Sequence, residues 1–271
     1  MPQRRGTIRI GVGGWTFAPW RGAFYPDGLA QKRELEYASR KLTSIEINGT
    51  YYGSQKPESF AKWYDETPND FVFSVKGPRF ATNRRVLAEA GPSIERFFNS
   101  GVMRLKEKLG PINWQFMPTE KFDPADFEKF LQLLPAEIDG YALRHAVEVR
   151  HESFCTPEFV ELLSAREVAA VVAADSQFPQ IADFTAPFVY VRIMGTSADA
   201  ESGYAPREID AWAKRALELA AGEIPAGFRT VGAAKKRRQP RDVFLYVISG
   251  HKPKNPAAAL ALIERVNKRE S

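Results

Sequence analysis

The chain has a single cysteine, Cys155, and only three histidines, His145, His151 and His251. One thiol cannot form an intrachain disulfide, and such sparse cysteine usage is typical of a reducing compartment. Three histidines are too few for a His-rich cluster of several metal ions, so the sequence argues against a catalytic metal and leaves other cofactors open. No run of about 18 apolar residues occurs, so no membrane contact is predicted. We therefore expect a cytoplasmic protein.

Neither positive nor negative charge is in large excess. Lys and Arg number 38 against 33 Asp and Glu, a formal net charge of +5. The densest basic cluster comprises Lys235, Lys236, Arg237, Arg238 and Arg241. We interpret it first as a solvated surface loop, and as the alternative a loop that grips phosphate groups.

Short apolar runs that end in glycine or polar residues recur along the chain and predict eight strands. The runs are Ile8–Trp15, Ser44–Tyr52, Phe71–Gly77, Pro111–Phe116, Ala146–His151, Ala169–Ser176, Phe188–Gly195 and Asp242–Gly250. Helical patterns separate most of them: Ala30–Lys41, Pro57–Glu66, Pro92–Lys108, Pro124–Leu134, Pro157–Ala165, Pro206–Ala221 and Pro256–Lys268. The interval Gln177–Pro187 is too short and too proline-rich for a full helix.

This alternation predicts an α/β fold, a TIM-like (β/α)₈ barrel with one reduced or missing helix after the sixth strand. We expect residues 1–271 to form one barrel domain. An open doubly wound sheet is the alternative, but the chain lacks the Gly-x-Gly-x-x-Gly turn that would support nucleotide binding there.

Within the predicted strands, polar residues alternate with apolar ones. Helices cover the outside of such a barrel, so we expect the apolar set to face outward and the polar set to face inward. The inward charges would then be three acids (Glu46, Glu148 and Asp175) and three bases (Lys76, Arg150 and Arg192). They could form a self-satisfied layer of ion pairs. Because they fall late in their strands, where barrel sites form, we favour a ligand site at the C-terminal mouth.

Several segments together carry a family resemblance. They are Gly11-Val-Gly-Gly-Trp15, Trp20-Arg-Gly22, Phe24-Tyr-Pro26, Glu46-Ile-Asn48-Gly-Thr50-Tyr-Tyr52, Phe71-Val-Phe73-Ser-Val-Lys76, Arg150-His151-Glu-Ser-Phe154, Asp175-Ser176 and Tyr190-Val-Arg192-Ile-Met-Gly195. Over nearly its whole length the chain resembles the domain of unknown function 72 family, which is YecE-like. The resemblance implies a TIM-like barrel and supplies no reaction. Gln115-Phe-Met-Pro118 and Ser249-Gly-His251 depart from the family pattern, which has Gln-Leu-Pro-Pro and a pair of Asn residues there.

Convergent basic side chains predict an anionic, phosphate-bearing ligand. Arginine recognises phosphate or carboxylate in a bidentate manner, so we expect Lys76, Arg150 and Arg192 to neutralise it. The other expected ligand contacts are Trp15, Asn48, Tyr52, Gln115 and His151, with Asn48 orienting the ligand. Trp15, Tyr51 or Tyr52 and Phe154 are candidates for stacking on a base or a sugar, although ordinary core packing is the simpler interpretation.

The reaction stays open between three classes. A hydrolase or phosphoester-processing enzyme would use Glu46 as general base or hydrogen-bond anchor, with Glu148 or Asp175 as the second catalytic carboxylate. A non-catalytic nucleic-acid- or metabolite-binding protein is one alternative, and a metal-dependent endonuclease-like phosphoesterase is the other. Lys76 could form a Schiff base, but pairing with Glu46 or Glu148 is favoured. We do not assign Cys155 as a nucleophile.

Overall fold

The computed structural model describes residues 5–232 and 239–270. Lys235 to Arg238 of the basic cluster lie outside this part, so their role stays a prediction. Arg241 does not belong to a solvated loop: it is buried, donates from Nη1 to the carbonyl of Ala186 and lies 4.7 Å from the ring centroid of Phe184. The aliphatic part of a buried arginine side chain contributes packing, in addition to the charge of its guanidinium.

Eight parallel strands close into a barrel, as the sequence predicts. They are β1 Ile8–Gly13, β2 Ser44–Ile47, β3 Val72–Lys76, β4 Leu109–Gln115, β5 His145–Glu148, β6 Ala169–Ala174, β7 Phe188–Ile193 and β8 Asp242–Val247. Strand order follows the chain, and β1 pairs with both β2 and β8. A short antiparallel ribbon, Glu137–Ile138 with Tyr141–Ala142, precedes β5. Closure places the C-terminal ends of all eight strands at one mouth.

Nine α-helices lie in the described residues. They are α1 Glu34–Ser39, α2 Gly49–Tyr52, α3 Pro57–Glu66, α4 Arg79–Thr82, α5 Gly91–Asn99, α6 Pro124–Gln132, α7 Pro157–Ala165, α8 Pro206–Ala220 and α9 Asn255–Glu270. Short 3₁₀ helices cover Ala18–Trp20, Gln31–Arg33, Leu87–Glu89, Val102–Lys108, Glu152–Phe154 and Lys252–Lys254. Residues 175–187 between β6 and β7 contain no helix, which confirms the predicted gap. None of the helices described here is long and apolar enough to cross a bilayer.

The prediction of the second strand, Ser44–Tyr52, is wrong at its C-terminal end. β2 stops at Ile47, because Asn48 adopts a right-handed helical conformation (φ −94°, ψ −20°) and Gly49–Tyr52 form α2. The hydroxyl of Thr50 donates to the carbonyl of Lys76 at 2.7 Å and so ties this turn to the end of β3. Tyr52 therefore lies on a helix above the mouth and not in a barrel strand.

The predicted helix Pro92–Lys108 is also interrupted. α5 ends at Asn99, and Gly101 has φ +97°, after which Val102–Lys108 form 3₁₀ turns that are kinked at Lys106 (φ +48°). A Cβ at Gly101 would lie 2.7 Å from the Cα of Pro57, so both the conformation and the close approach require glycine. Side chains cap two other helices at their N-termini: Asp123 accepts from the amides of Ala125 and Asp126, and Thr156 accepts from that of Phe159.

Two apolar regions flank the sheet. The larger lies between the strands and the helices, and it contains the mutually packed rings of Phe116, Phe127, Phe130 and Phe154. Burying each such ring contributes about 1.5–3 kcal/mol. The smaller fills the barrel axis, with Phe188 and Phe244 near the strands' N-terminal ends and Tyr190 and Tyr246 above them. The polar side chains that form the candidate site lie above these tyrosines, where the hydroxyl of Tyr190 contacts Glu46.

Candidate functional site

Six polar side chains meet at the C-terminal end of the barrel, and we call them the mouth cluster. They are Glu46, Lys76, Gln115, Glu148, Arg150 and Arg192. The first four and Arg192 sit at or near the ends of β2, β3, β4, β5 and β7, and Arg150 follows β5 by two residues. Parallel pairing aligns Gln115 with Glu148, so residues far apart in sequence reach one level. The sequence named all six.

Arg192 is the centre of the mouth cluster. Its Nη1 donates to Oε2 of Glu148 and its Nη2 donates to Oε1 of Glu46 at 3.1 Å. Burial alone would lower the pKa of this guanidinium, but the two carboxylates outweigh burial and raise it. Arg192 is therefore charged throughout the accessible pH range.

The amide oxygen of Gln115 joins the three cations. It accepts from Nζ of Lys76 at 2.6 Å, from Nη2 of Arg150 at 3.0 Å and from Nη1 of Arg192 at 3.3 Å. Because the amide oxygen of Gln115 carries no formal charge, it does not neutralise any of the three cations. Three cations thus share the cluster with two carboxylates, which leaves one positive charge in excess.

Lys76 does not pair with Glu46 or Glu148, contrary to the favoured interpretation from sequence. Among residues 5–232 and 239–270, no carboxylate lies within ion-pair distance of its Nζ. The ammonium instead lies 4.2 Å from the ring centroid of Tyr51. Burial first, and then the charge of Arg192, lower the pKa of Lys76 to about 8.

Glu148 accepts hydrogen bonds from both arginines of the mouth cluster. Burial would raise its pKa, but Arg192, Arg150 and Lys76 together lower it to about 2. Glu46 is held by Arg192 and by Tyr190, whose hydroxyl donates to Oε2 at 2.5 Å. Nε of Arg192 and Oδ1 of Asn113, both buried, have no hydrogen-bond partner within the described residues. Polar groups of this kind are where a water or a ligand atom can bind.

Arg150 is the most exposed member of the cluster, with 19% of its side chain accessible. Its Nε donates to Oε1 of Glu148 at 2.8 Å, and its guanidinium lies 4.3 Å from the ring centroid of Phe178. Sequence reasoning missed Phe178, which lies in the irregular connection after β6. No periodicity marks such a residue, so only the tertiary structure could reveal this contact.

Asp175 lies apart from the cluster. It follows β6 with φ +51°, and its Oδ2 accepts from the hydroxyl of Tyr204 at 2.9 Å and from Nε1 of Trp212 at 2.9 Å. Trp212 belongs to α8 and is buried. The expected balance of three acids against three bases is therefore wrong, because the left-handed turn directs this carboxylate towards α8.

Four other predicted ligand contacts surround the mouth without joining the cluster. Trp15 packs edge to face on Trp63 at 5.1 Å, and His151 accepts from the amide of Ser153 at 3.1 Å and so caps a local 3₁₀ turn. Tyr52 is 66% exposed and the amide of Asn48 lies against Gly13. Phe154, a stacking candidate, is 1% exposed and belongs to the core.

His145 and Cys155 are structural in their surroundings. His145 is buried, its Nδ1 accepts from Nε1 of Trp114 at 3.1 Å, and burial lowers its pKa to about 4. Burial raises the pKa of Cys155 to about 11, which makes it a poor nucleophile. In the part of the chain that the structure describes, no three His, Cys, Asp or Glu side chains come together as metal ligands would.

Comparisons with curated proteins find bacterial relatives of this chain. UPF0759 protein YecE of Escherichia coli strain K12 is 28% identical over 150 residues, which are 54% of this chain and 50% of that protein. UPF0759 protein YunF of Bacillus subtilis strain 168 is 27% identical over 188 residues, or 67% of this chain and 64% of that protein. The aligned region thus spans about half the length of YecE and somewhat less than two thirds of YunF.

Among solved structures, a DUF72 family protein from Thermotoga maritima superposes with a TM-score of 0.74. The two chains are 22% identical, and the superposition covers 96% of this chain and 99% of the other. At this identity the likeness establishes the barrel fold alone. The family model described as "Protein of unknown function DUF72" matches residues 9–271, which is nearly the entire sequence. With the motifs, the barrel and this match in agreement, the chain belongs to the DUF72 family.

Proposed function

We propose that the mouth cluster binds an anionic, phosphate-bearing ligand. One observation carries the proposal: Lys76, Arg150 and Arg192 share a single amide oxygen, and only two carboxylates offset their charge. Excess buried charge is costly unless it is paired. A ligand anion at the mouth would supply the missing negative charge. Guanidinium groups favour phosphate because their donors match its oxygens in geometry.

The cations would have different roles. Arg192 is held on both sides by Glu46 and Glu148, so it supports the site from below. Arg150 is the more exposed guanidinium and would contact the ligand first. Lys76 would add a point charge beside it, and Asn48, on the turn after β2, would orient the ligand at the rim.

Phosphoester hydrolysis is the second candidate, and Glu46 is its proposed base. This carboxylate lies against a cation that could stabilise charge on a phosphoryl group. Glu148 is less suited to this role, because a pKa of about 2 makes it a weak base and a poor proton donor at neutral pH. Glu46→Gln should abolish turnover and leave ligand binding in place if this candidate holds.

A thermal-shift panel of inorganic phosphate, phosphorylated sugars and nucleoside monophosphates tests the proposal. A ligand at about 100 times its Kd adds about 2.7 kcal/mol, which corresponds to a rise of about 5–10 °C for a protein of this size. Arg150→Ala should remove the rise. The matched control is Arg144→Ala, because Arg144 lies at the opposite end of β5, where it pairs with Asp242.

The two variants separate site binding from general salt stabilisation. Phosphate stabilises many proteins by exclusion from their surface, an effect that would survive Arg150→Ala. A rise that persists equally in wild type and both variants would overturn the proposal. So would the absence of any rise across the panel.

A further inference from the structure

A second basic surface lies outside the mouth cluster, on the helices that follow β3. A groove of about 540 Å³ runs between α4, the 3₁₀ turn Leu87–Glu89 and α5. We call it the rim groove, and its lining residues are Phe80, Asn83, Arg84, Arg85, Val86, Glu89, Ser93 and Arg96. Because α4 directly follows the C-terminal end of β3, the groove opens at the same end of the barrel as the mouth.

Exposed apolar side chains concentrate here. In the described residues four large hydrophobic side chains are strongly exposed, and two of them, Phe80 at 58% and Val86 at 40%, line the rim groove. A third, Tyr52, immediately precedes Gly53, which lines a smaller adjoining cavity of about 70 Å³ that also contains Phe80. Exposed apolar surface that gathers at one place is typical of a binding site.

Arginine accompanies these side chains. Arg84, Arg85 and Arg96 line the groove, and the guanidinium of Arg79 lies 5.3 Å from the ring centroid of Phe80. None of the four forms an ion pair with a carboxylate of residues 5–232 or 239–270; Arg84 donates only to the hydroxyl of Ser93, at 3.3 Å. Glu89 is the single acidic residue of the lining. The groove is therefore both basic and aromatic.

We propose that the rim groove binds single-stranded nucleic acid. Phe80 would stack on an unpaired base, while Arg84, Arg85 and Arg96 would contact the flanking phosphates. An aromatic platform beside a row of cations is the arrangement by which proteins hold single strands without reading their sequence. A duplex keeps its bases stacked inside, so it could use the arginines and not the ring. The site is separate from the mouth cluster and does not depend on the function proposed there.

The first test is fluorescence anisotropy with a short fluorescein-labelled single-stranded oligodeoxynucleotide, titrated over a range of salt concentrations. The double variant Arg84→Ala/Arg85→Ala should weaken binding at least about ten-fold and reduce the salt slope by about 1.4, since each phosphate contact on a single strand contributes about 0.7. The charge-matched control is Arg104→Ala/Arg166→Ala. Both control arginines are exposed, and both precede strands at the opposite end of the barrel. This control should keep wild-type affinity and slope.

The second test isolates the ring. Phe80→Ala should weaken binding about ten-fold with an unchanged salt slope, and Phe80→Trp should retain it, because base stacking is worth that much and carries no charge. Phe80 is mostly exposed, so both variants should unfold at the wild-type temperature. Arg150→Ala should bind the oligonucleotide as wild type does, which distinguishes this site from the mouth.

Three outcomes would overturn the proposal. They are no measurable binding by the wild-type chain, equal loss in the groove variant and its control, and equal binding of duplex, inorganic polyphosphate and single strand with no effect of Phe80→Ala. The last would mean that the surface attracts any polyanion and recognises no base.

Discussion

Arg192 and Glu46 stand 146 positions apart in the chain, and Nη2 of the arginine lies 3.1 Å from Oε1 of the glutamate. The two come from β7 and β2, on different sides of the barrel. Glu148, on β5, accepts a hydrogen bond from Nη1 of the same guanidinium. One buried cation thus links three strands, so the mouth cluster stabilises the barrel and is also a candidate site.

Neutralising Glu148 should destabilise the fold. Glu148→Gln leaves Arg192 with one carboxylate, and removal of one partner from a buried ion pair costs about 3–5 kcal/mol. Urea unfolding measures the change. Glu264→Gln is the control, because its pair with Lys268 is exposed on both sides and worth at most about 1 kcal/mol. If the double variant Glu148→Gln/Arg192→Gln lost as much as the sum of the single changes, the coupling would be refuted.

Lys76 should make stability rise with alkaline pH. Its pKa falls from 10.5 to about 8 on folding, so between these values the unfolded chain binds more protons than the folded one. Stability therefore increases from about pH 8 towards pH 10.5, by on the order of 2 kcal/mol. Urea unfolding of wild type and Lys76→Met at pH 7.5 and pH 10 isolates this contribution, since other groups titrate alike in both. An identical pH dependence of the two proteins would contradict the burial of a charged amine.

Asp175 should contribute to the stability of the fold and not to ligand binding at the mouth. Asp175→Ala leaves the hydroxyl of Tyr204 and the indole NH of Trp212 without their acceptor, and each buried unsatisfied donor costs about 1–3 kcal/mol. The variant should melt earlier yet show the same phosphate-induced shift as wild type. A lost shift would return Asp175 to the site that the sequence predicted for it.

Gly77→Ala should destabilise the packing at the end of β3. A Cβ at Gly77 would lie 2.4 Å from the Trp114 ring, and overpacking of this kind lowers the free energy of unfolding by about 1–3 kcal/mol. Gly53→Ala is the matched control, because a Cβ at Gly53 meets no heavy atom within 4 Å and its φ of −171° is ordinary extended backbone. Equal melting temperatures for the two variants would show that Trp114 can move.

The order of elements could be predicted well because it depends on local pattern. The alternation of Glu46 with Ile45 and Ile47 indicates a strand with one polar face, and proline at the first turn marks α3, α6, α7 and α8. The missing helix after β6 was visible from the length of the interval. The end of β2 was not, because apolar Tyr51 and Tyr52 continue a strand-like pattern into a helical turn.

The sequence by itself determined that eight strands alternate with helices and that six polar side chains face one mouth. Both follow from the period of two along a strand and from the parallel course of the chain. Only the tertiary structure decided that Lys76 binds Gln115 and not a glutamate, that Asp175 turns towards α8, and that Phe80 and four arginines share a surface. These outcomes depend on the register of closure and on single backbone torsions, such as φ +51° at Asp175, which no periodicity of the sequence encodes.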